Sequence, residues 1–222
     1  MRGCVVVGVW GAGKTTVYQA VLTRLVAAGC ESLIAMPQAA TLTTHTYTDS
    51  DPAKQAEAMV EWIEHLTTFL CDVDRRFRTS TLPRHRFAAE WTPTCLLEGL
   101  GFDIAVYDLP VSRARLLDSE RRMADSGLEL VVLRVPPQRI LHRCLRSTRT
   151  VRGPKWAAYV DGFGSTEQQR VDHIARAQDR LLRWVESSPM PSHIIDAGAD
   201  DLAPAVAFVT ELITSSQVTT RD

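Results

Sequence analysis

The sequence predicts an α/β fold of three layers, with a five-stranded parallel sheet covered by helices on both faces. Three observations support this. Short apolar segments alternate with amphipathic helical segments along the 222 residues. A glycine-rich motif joins the first apolar segment to the first helical one. With 45% hydrophobic residues, the chain is long enough to bury one sizeable core. We therefore expect a single domain over residues 1–222.

The glycine-rich motif matches G-x-x-x-x-G-K-T at every fixed position and runs from Gly8 to Thr15. The apolar run Cys4–Val7 before it predicts a buried parallel strand. The segment from Thr15 to Ala28 has apolar residues at helical spacing, and Gly29 stands where a helix-terminating glycine belongs. A strand before and a helix after are the context that this motif requires. The alternative, a glycine-rich turn with a chance Lys-Thr pair, does not explain that context, so the sequence predicts a P-loop NTPase fold.

The residue types of this loop suit a triphosphate. Glycines let the backbone curl so that its N–H groups point inward, and the helix that follows directs its positive end at the same place. Lys14 supplies a cation for the β- and γ-phosphates, and the Thr15 hydroxyl is placed to ligate Mg²⁺. We therefore expect ATP and Mg²⁺ as cofactors, with the nucleotide bound by Gly8, Gly11, Ala12, Gly13, Lys14, Thr15 and Thr16.

Four further apolar segments predict the remaining strands: residues 32–36, 102–108, 128–135 and 193–196. Asp51-Pro52 predicts the start of a long amphipathic helix that extends to about Phe77, and a second helix is expected from Phe87 or Pro93 to Leu100. Both would lie between the second and third strands. Ser165-Thr166-Glu167-Gln168 has the form of a capping box at the start of a later helix.

Asp108 is the candidate second metal ligand. It ends the segment Gly101–Asp108, which predicts a glycine turn followed by an apolar strand. A carboxylate at the end of a strand beside a phosphate loop is where P-loop enzymes hold Mg²⁺, directly or through water. The alternative is that Asp108 caps the helix that follows it.

Two basic segments stand out. Residues 143–164 carry arginines among glycines and aromatic residues, which suits a lid that closes over phosphates. The alternative is an ordinary basic loop. The second segment, from Arg75 to Arg86, could face an anionic acceptor, but a solvated face is the commoner explanation for such a cluster.

Composition narrows the classes of partner. The net charge of −1 gives no electrostatic case for a nucleic acid polymer or a membrane surface, and no apolar run approaches a membrane span. The five scattered cysteines include no C-x-x-C pair, so neither a disulfide framework nor a zinc site is indicated. We expect a cytoplasmic protein that acts on a small-molecule acceptor. The sequence leaves the oligomeric state open, a homodimer included.

The order and spacing of these motifs resemble the nucleoside monophosphate kinase group of P-loop kinases, and thymidylate kinase most of all. The family's Asp-Arg-Tyr motif corresponds to Asp108-Leu109-Pro110, its Ala-Asp-Arg motif to Ala89-Glu90-Trp91, and its Arg-Glu-Pro motif to Ala35-Met36-Pro37. The resemblance implies an acceptor region over residues 38–100 and a lid over 143–164. It also implies that the lid arginines are Arg143, Arg146 and Arg149, which would stabilise the transition state.

The departures from the family share one direction. Leu109, Trp91 and Ala35 replace the three arginines that would face an acceptor nucleotide, so a neutral hydroxyl acceptor fits this chain better than a monophosphate. Glu90 is a candidate acceptor base by position, and Asp103 a weaker one. Two functions therefore remain: a kinase that transfers the γ-phosphoryl group of ATP to a nucleoside, nucleotide or related hydroxyl compound, and a regulatory P-loop module that hydrolyses nucleotide slowly. A basic lid favours the kinase, because a switch has no acceptor to shield from water.

Overall fold

A computed structural model describes residues 1–40 and 51–215 of the chain. Most of the threonine-rich stretch after Gln38 that was assigned to the acceptor region therefore lies outside the described residues. The strands are β1 Arg2–Gly8, β2 Leu33–Met36, β3 Thr94–Glu98, β4 Leu128–Arg134 and β5 Ser192–Asp196.

The five strands form one parallel sheet in the order β2-β3-β1-β4-β5. β1 lies at the centre because its side chains are almost entirely apolar and buried, so both of its edges can be paired inside the protein. Val6 pairs with Glu98 on one side and with Val131 on the other. In a parallel sheet all strands end at the same edge, so the segments that follow Gly8, Met36 and Glu98 meet there.

The helices that pack on this sheet vary widely in length. They are α1 Lys14–Ala27, α2 Pro52–Thr79, α3 Ala88–Trp91, α4 Asp103–Tyr107, α5 Ala114–Asp125, α6 Thr148–Arg152, α7 Pro154–Asp161, α8 Glu167–Glu186 and α9 Ala203–Ser215, with a π-helix over Leu141–Ser147 and 3₁₀ turns at Leu82–Arg84, Leu100–Phe102 and Pro137–Arg139. α1 packs against α9, while α2 packs against α5 and α8 against α4. The predicted parallel α/β sheet with helices on both faces is confirmed.

The start of α2 is confirmed at the predicted place. The Asp51 carboxylate accepts a hydrogen bond of 2.9 Å from the backbone N–H of Ala53, and Pro52 occupies the first turn, where a missing N–H costs nothing. The capping box of α8 is displaced by one residue from the predicted position. It is formed by Thr166 and Gln169. The Thr166 side chain accepts a hydrogen bond from the backbone N–H of Gln169, and the Gln169 side chain accepts one from the backbone N–H of Thr166.

The third strand was predicted in the wrong place. Residues 102–108 form the 3₁₀ turn and α4, whereas the stretch expected to be a helix before Leu100 contains β3. Thr94–Glu98 is buried at every position because it lies between β1 and β2, so the tertiary position decides its conformation. The carboxylate that ends the third strand is therefore Glu98 and not Asp108. Among the described residues, no helix is both long and apolar enough to cross a membrane.

Candidate active site

The phosphate loop lies between β1 and α1, as the motif predicts. Gly8, Gly11 and Gly13 all have positive φ, and Gly13 at 100° is the residue from which α1 begins. Gly11 and Gly13 also lack the space for a side chain. A Cβ on Gly11 would lie 2.6 Å from the Cα of Cys144, and one on Gly13 would lie 2.5 Å from a methyl group of Leu202. The loop is thus held between the π-helix and the segment before α9.

Lys14 is folded back onto the loop. Its Nζ donates hydrogen bonds to the carbonyl oxygens of Gly8 at 2.8 Å and Val9 at 3.3 Å, and the side chain is buried. Burial lowers the pKa of Lys14, and the nearby carboxylates of Asp103 and Glu98 partly oppose that shift. A phosphate would supply the negative charge that these carbonyl oxygens supply only in part.

Glu98 joins the phosphate loop to the segment after β2. Its Oε1 accepts a hydrogen bond of 2.6 Å from the Thr15 hydroxyl, and its Oε2 accepts one of 3.2 Å from the backbone N–H of Gln38. The Glu98 side chain is only 1% exposed, so these donors replace the water that a carboxylate otherwise needs. The topology explains the meeting, because β1, β2 and β3 end at the same edge of the sheet.

Asp103 is the first residue of α4, and its carboxyl group lies next to the Gln38 side chain. Its Oδ1 accepts a hydrogen bond of 2.8 Å from Nε2 of Gln38, and the residue is 2% exposed. Burial raises the pKa of Asp103 to about 7, although Lys14 and the Gln38 hydrogen bond act in the opposite direction. The other carboxylate oxygen, Oδ2, is buried without a hydrogen-bond partner among the described residues.

The raised pKa of Asp103 has a consequence for stability. A carboxyl group that holds its proton more tightly in the folded state stabilises the fold below its unfolded pKa, and this contribution is lost as the pH rises through the folded value. We expect the free energy of unfolding of the wild type, relative to Asp103→Asn, to fall between about pH 4 and pH 7, the window between the ordinary pKa of an aspartate and the pKa in the folded protein. Denaturant titrations of both proteins across that range would measure it, and a constant difference would contradict the assignment.

Gly99 is the glycine that lets the Asp103 carboxylate reach this position. Its φ is +80°, and a Cβ there would overlap the Asp103 carboxyl group. We expect Gly99→Ala to destabilise the fold by about 2–4 kcal/mol, because strain at positive φ and steric overlap add. Chemical denaturation would test this, with Gly29→Ala as the control: Gly29 also has positive φ, but no atom lies within 4 Å of its Cβ position. If the two variants lost the same free energy of unfolding, the overlap with Asp103 would be relieved at no cost in stability.

Two cavities flank the phosphate loop. The first, of about 470 Å³, lies at the ends of β1, β2 and β3 and is lined by Lys14, Thr15, Gln38, Glu98 and the aromatic side chains of Trp10, Tyr107, Trp156 and Tyr159. The second, of about 570 Å³, lies on the other side of the loop, between Thr16 and Arg24 of α1, Arg143 of the π-helix and the Asp200–Ala203 segment. Arg152 lines both cavities. We call the first cavity the acceptor cavity and the second the donor cavity.

Aromatic side chains form one wall of the acceptor cavity. The Trp10 ring lies 5.3 Å from Tyr107 and 4.8 Å from Phe163 between centroids, and its Nε1 donates to the Tyr107 hydroxyl at 3.2 Å. Tyr159 continues the wall, with its ring 5.2 Å from that of Trp156. The sequence placed Trp156, Tyr159 and Phe163 in the predicted lid segment, but their convergence on Trp10 of the phosphate loop depends on tertiary packing.

The three predicted lid arginines are separated by the structure. Arg143 is buried beside the phosphate loop, where its Nη2 would lie 3.0 Å from a Cβ on Gly13. Arg146 is exposed and pairs with Glu167 at 3.0 Å, and Arg149 pairs with Asp161. Arg152 is an arginine of the predicted lid segment that sequence reasoning did not select, and its guanidinium lies 4.5 Å from the centre of the Trp156 ring. Arg143 and Arg152 are therefore the arginines of that segment that line the cavities.

Asp108 is not placed as its predicted role requires. It follows α4 in the left-handed conformation, its side chain is 72% exposed, and its carboxylate pairs with Arg180 at 3.3 Å. The alternative, that it caps the next helix, is also wrong: α5 begins six residues later, at Ala114.

We expect Asp108→Asn to keep near-normal activity and to change the free energy of unfolding by less than about 1 kcal/mol, because exposed ion pairs contribute little. Nucleotide turnover at several Mg²⁺ concentrations would check this. A shifted Mg²⁺ dependence would restore Asp108 as a metal ligand.

Glu90 lies at the opposite end of the sheet. It is an exposed residue of α3, immediately before β3, whereas the phosphate loop follows the end of β1. Its neighbours confirm the location: Trp91 donates to Glu31 at 3.0 Å ahead of β2, and Arg2 at the start of β1 donates to the carbonyl of Ala89 at 3.0 Å. Glu90 as acceptor base is therefore wrong. The first arginines of the 75–86 cluster pair with aspartates of α2 at that same end.

The donor set at the end of β3 fits Mg²⁺. A hydroxyl and a carboxylate, Thr15 Oγ1 and Glu98 Oε1, lie within 2.6 Å of each other at the phosphate loop. Magnesium in such sites takes one or two protein oxygens and completes its shell with phosphate oxygens and water. Residues 1–40 and 51–215 contain no group of three or more His, Cys, Asp and Glu side chains that could hold a metal ion.

Comparison with known proteins shows which solved structures are similar to this chain. No protein-family model and no curated protein sequence matches the chain. The crystal structure of the YorR protein of Bacillus subtilis, in complex with phosphorylated GDP, is similar to it with a TM-score of 0.55 and 14% identity over 95% of this chain and 96% of that one. Deoxyadenosine kinase from M. mycoides with bound dATP gives a TM-score of 0.42 and 12% identity over 95% and 98%.

At 14% identity, the likeness to YorR shows a shared fold. Together with the loop from Gly8 to Thr15, it supports the P-loop fold that the sequence predicts. The finer resemblance to thymidylate kinase loses two of its motif positions, because Glu90 lies at the far end of the sheet and Asp108 does not end a strand.

Proposed function

We propose that this protein is a kinase that transfers the γ-phosphoryl group of ATP to a hydroxyl group of a nucleoside-like acceptor. The observation that carries the proposal is the pair of cavities that share Gly11, Gly13, Thr15 and Arg152 in their linings. Two substrates bound on either side of the loop would present their reacting groups to each other there. A switch that only hydrolyses nucleotide needs one such cavity.

The donor cavity suits a nucleotide whose phosphates occupy the loop. Its walls combine apolar side chains of α1 and α9 with the guanidinium of Arg143. Arg143 is held by the backbone carbonyl of Asp200 at 3.4 Å, so its position is fixed before a ligand arrives. A cation that is already in place stabilises a developing charge without reorganisation, which is the main source of catalysis in phosphoryl transfer.

The acceptor cavity suits a neutral, planar compound with hydroxyl groups. Its aromatic wall offers ring faces for stacking, and Gln38 and Glu98 supply amide and carboxylate groups on the opposite side. Among the described residues its lining contains two cations, Lys14 of the phosphate loop and Arg152, which also lines the donor cavity. A nucleoside monophosphate would need fixed cations of its own, which favours an unphosphorylated acceptor.

The residues divide the work of the transfer step. Thr15 and Glu98 would hold Mg²⁺, which neutralises phosphate charge when bound. Lys14, Arg143 and Arg152 stabilise the charge on the transferring group, and the aromatic wall excludes water. The transition state of phosphoryl transfer is loose, so positioning of the hydroxyl matters more than strong base catalysis. Glu98 is the carboxylate that lines the acceptor cavity and can orient that hydroxyl.

The experiment is a screen for acceptor-dependent release of ADP. We expect one or more of the common ribonucleosides and deoxyribonucleosides to raise ADP release from MgATP at least tenfold over the acceptor-free rate, because a correctly placed hydroxyl displaces the slower reaction with water. Nucleoside monophosphates and hydroxylated metabolites complete the panel. A slow, acceptor-independent rate with every compound would support the regulatory module instead.

A further inference from the structure

We infer that Asp103 is a positioning residue for the acceptor: through Gln38, it fixes one side of the acceptor cavity. Asp103 does not line either cavity, while Gln38 lines the acceptor cavity. The inference rests on the proposed function for its kinetic consequence. Its structural part, the control of Gln38 by Asp103, is independent of that function.

Gln38 is held at both of its amide groups. Its backbone N–H donates to Glu98 Oε2 at 3.2 Å, and its side-chain Nε2 donates to Asp103 Oδ1 at 2.8 Å. The shorter bond fixes the side-chain rotamer, and both acceptors are buried carboxylates at 1% and 2% exposure. In this buried setting a lost hydrogen bond is not replaced by one to water, so both bonds restrain Gln38 beyond the end of β2.

Asp103 itself is fixed by its surroundings. It begins α4 directly after the 3₁₀ turn Leu100–Phe102, and its carboxyl group lies over the backbone of Gly99. The fold therefore places a costly buried carboxylate directly after a buried turn, where an apolar residue would pack without penalty. The bond to Gln38 is the hydrogen bond by which this group reaches the acceptor cavity.

The same bonds continue to the phosphate loop. Thr15 donates to Glu98, Glu98 accepts from the Gln38 backbone, and the Gln38 side chain donates to Asp103. This chain joins a residue that faces the donor phosphates to a residue that faces the acceptor. Loss of Asp103 leaves the Thr15–Glu98 bond in place and removes the bond between Asp103 and the Gln38 side chain, so the expected damage is to acceptor binding rather than to nucleotide binding.

The first experiment compares Asp103→Ala with Asp103→Asn by hydrogen exchange at the side-chain amide of Gln38, whose Nε2 donates to Asp103. Exchange is measured by NMR on the whole chain. Asparagine retains an oxygen that accepts from Gln38, whereas alanine does not. We expect exchange at Gln38 to quicken about tenfold or more in Asp103→Ala, to change little in Asp103→Asn, and to stay the same at the β1 and β4 amides in both. Unchanged exchange at Gln38 in Asp103→Ala would overturn the inference whatever the protein's function.

The second experiment is a double-mutant cycle on acceptor KM, with each of the four common deoxyribonucleosides as the probe. We expect Asp103→Ala to raise the KM of an accepted deoxyribonucleoside about tenfold, and to leave kcat and the Kd for MgADP within about twofold. In the Gln38→Ala background the same change should have no further effect, because the partner is already gone. A full effect in that background, or an equal loss in Asp103→Asn, would show that Asp103 acts directly and not through Gln38.

These outcomes separate the two proposals. If no deoxyribonucleoside is phosphorylated but exchange at Gln38 responds as expected, the proposed function fails for this acceptor class and the clamp stands. If deoxyribonucleosides are phosphorylated and Asp103→Ala leaves both KM and Gln38 exchange unchanged, the function stands and the positioning role is wrong.

Discussion

Replacing Lys14 with alanine is expected to lower the rate of phosphoryl transfer by about 10²–10³-fold, because a contact to developing charge is lost. Nζ already lies at the loop, 2.8 Å from the carbonyl of Gly8, and needs only to turn toward a phosphate. The fold should survive, since the variant removes a buried cation whose pKa is lowered by that burial. Steady-state turnover and circular dichroism would be measured together.

The matched control is Lys54→Ala. Lys54 is an exposed residue in the first turn of α2, away from both cavities. Its replacement should leave turnover near normal. If purified Lys14→Ala keeps the activity of this control, the assignment of the phosphate loop as the catalytic centre is wrong.

The second large effect is expected at Glu98. Glu98→Gln keeps the shape of a side chain that is 1% exposed but removes its charge. We expect turnover to fall about 10–100-fold and the Mg²⁺ requirement to rise, because the carboxylate orients Thr15 and completes the donor set for the metal. A Mg²⁺ titration of the rate would measure both changes.

Glu90→Gln is the control for this experiment. It makes the same chemical change at an exposed residue at the other end of the sheet. Normal turnover in Glu90→Gln and a large loss in Glu98→Gln would confirm which carboxylate serves the site. The reverse result would mean that the placement of β3 is wrong.

The sequence was sufficient for the fold class and the phosphate loop, because both depend on local patterns. The run Cys4–Val7, the glycines and the apolar spacing of α1 all lie within a single stretch of chain. Four of the five strands were predicted close to their observed limits. Each of them is a short apolar run bounded by turn residues.

The third strand could not be assigned in the same way. Thr94–Glu98 and Asp103–Tyr107 are both short, mostly apolar and next to glycine, and periodicity cannot separate a strand from a helix over five residues. Pairing with β1 and β2 decides the first, and packing against α8 holds the second as a helix. One local signal was available: Pro93 and the threonines on either side of it favour an extended chain.

That single misplacement accounts for the wrong metal carboxylate. Asp108 and Glu98 each follow an apolar run and precede a turn, so the error transferred the role from one to the other. The convergence of Gln38, Asp103 and the aromatic wall was not accessible from the sequence. It depends on side chains that come from β2, β3, α4 and α7 and meet only in the folded sheet.

The central claim is that two substrates meet across the phosphate loop, and the most direct test is transfer of label from [γ-³²P]ATP. The purified protein would be incubated with Mg²⁺ and each common nucleoside in turn, and the products separated by chromatography. We expect a labelled nucleoside monophosphate with at least one nucleoside, formed about 10²–10³-fold more slowly by Lys14→Ala. Label recovered only as inorganic phosphate with every nucleoside would contradict it.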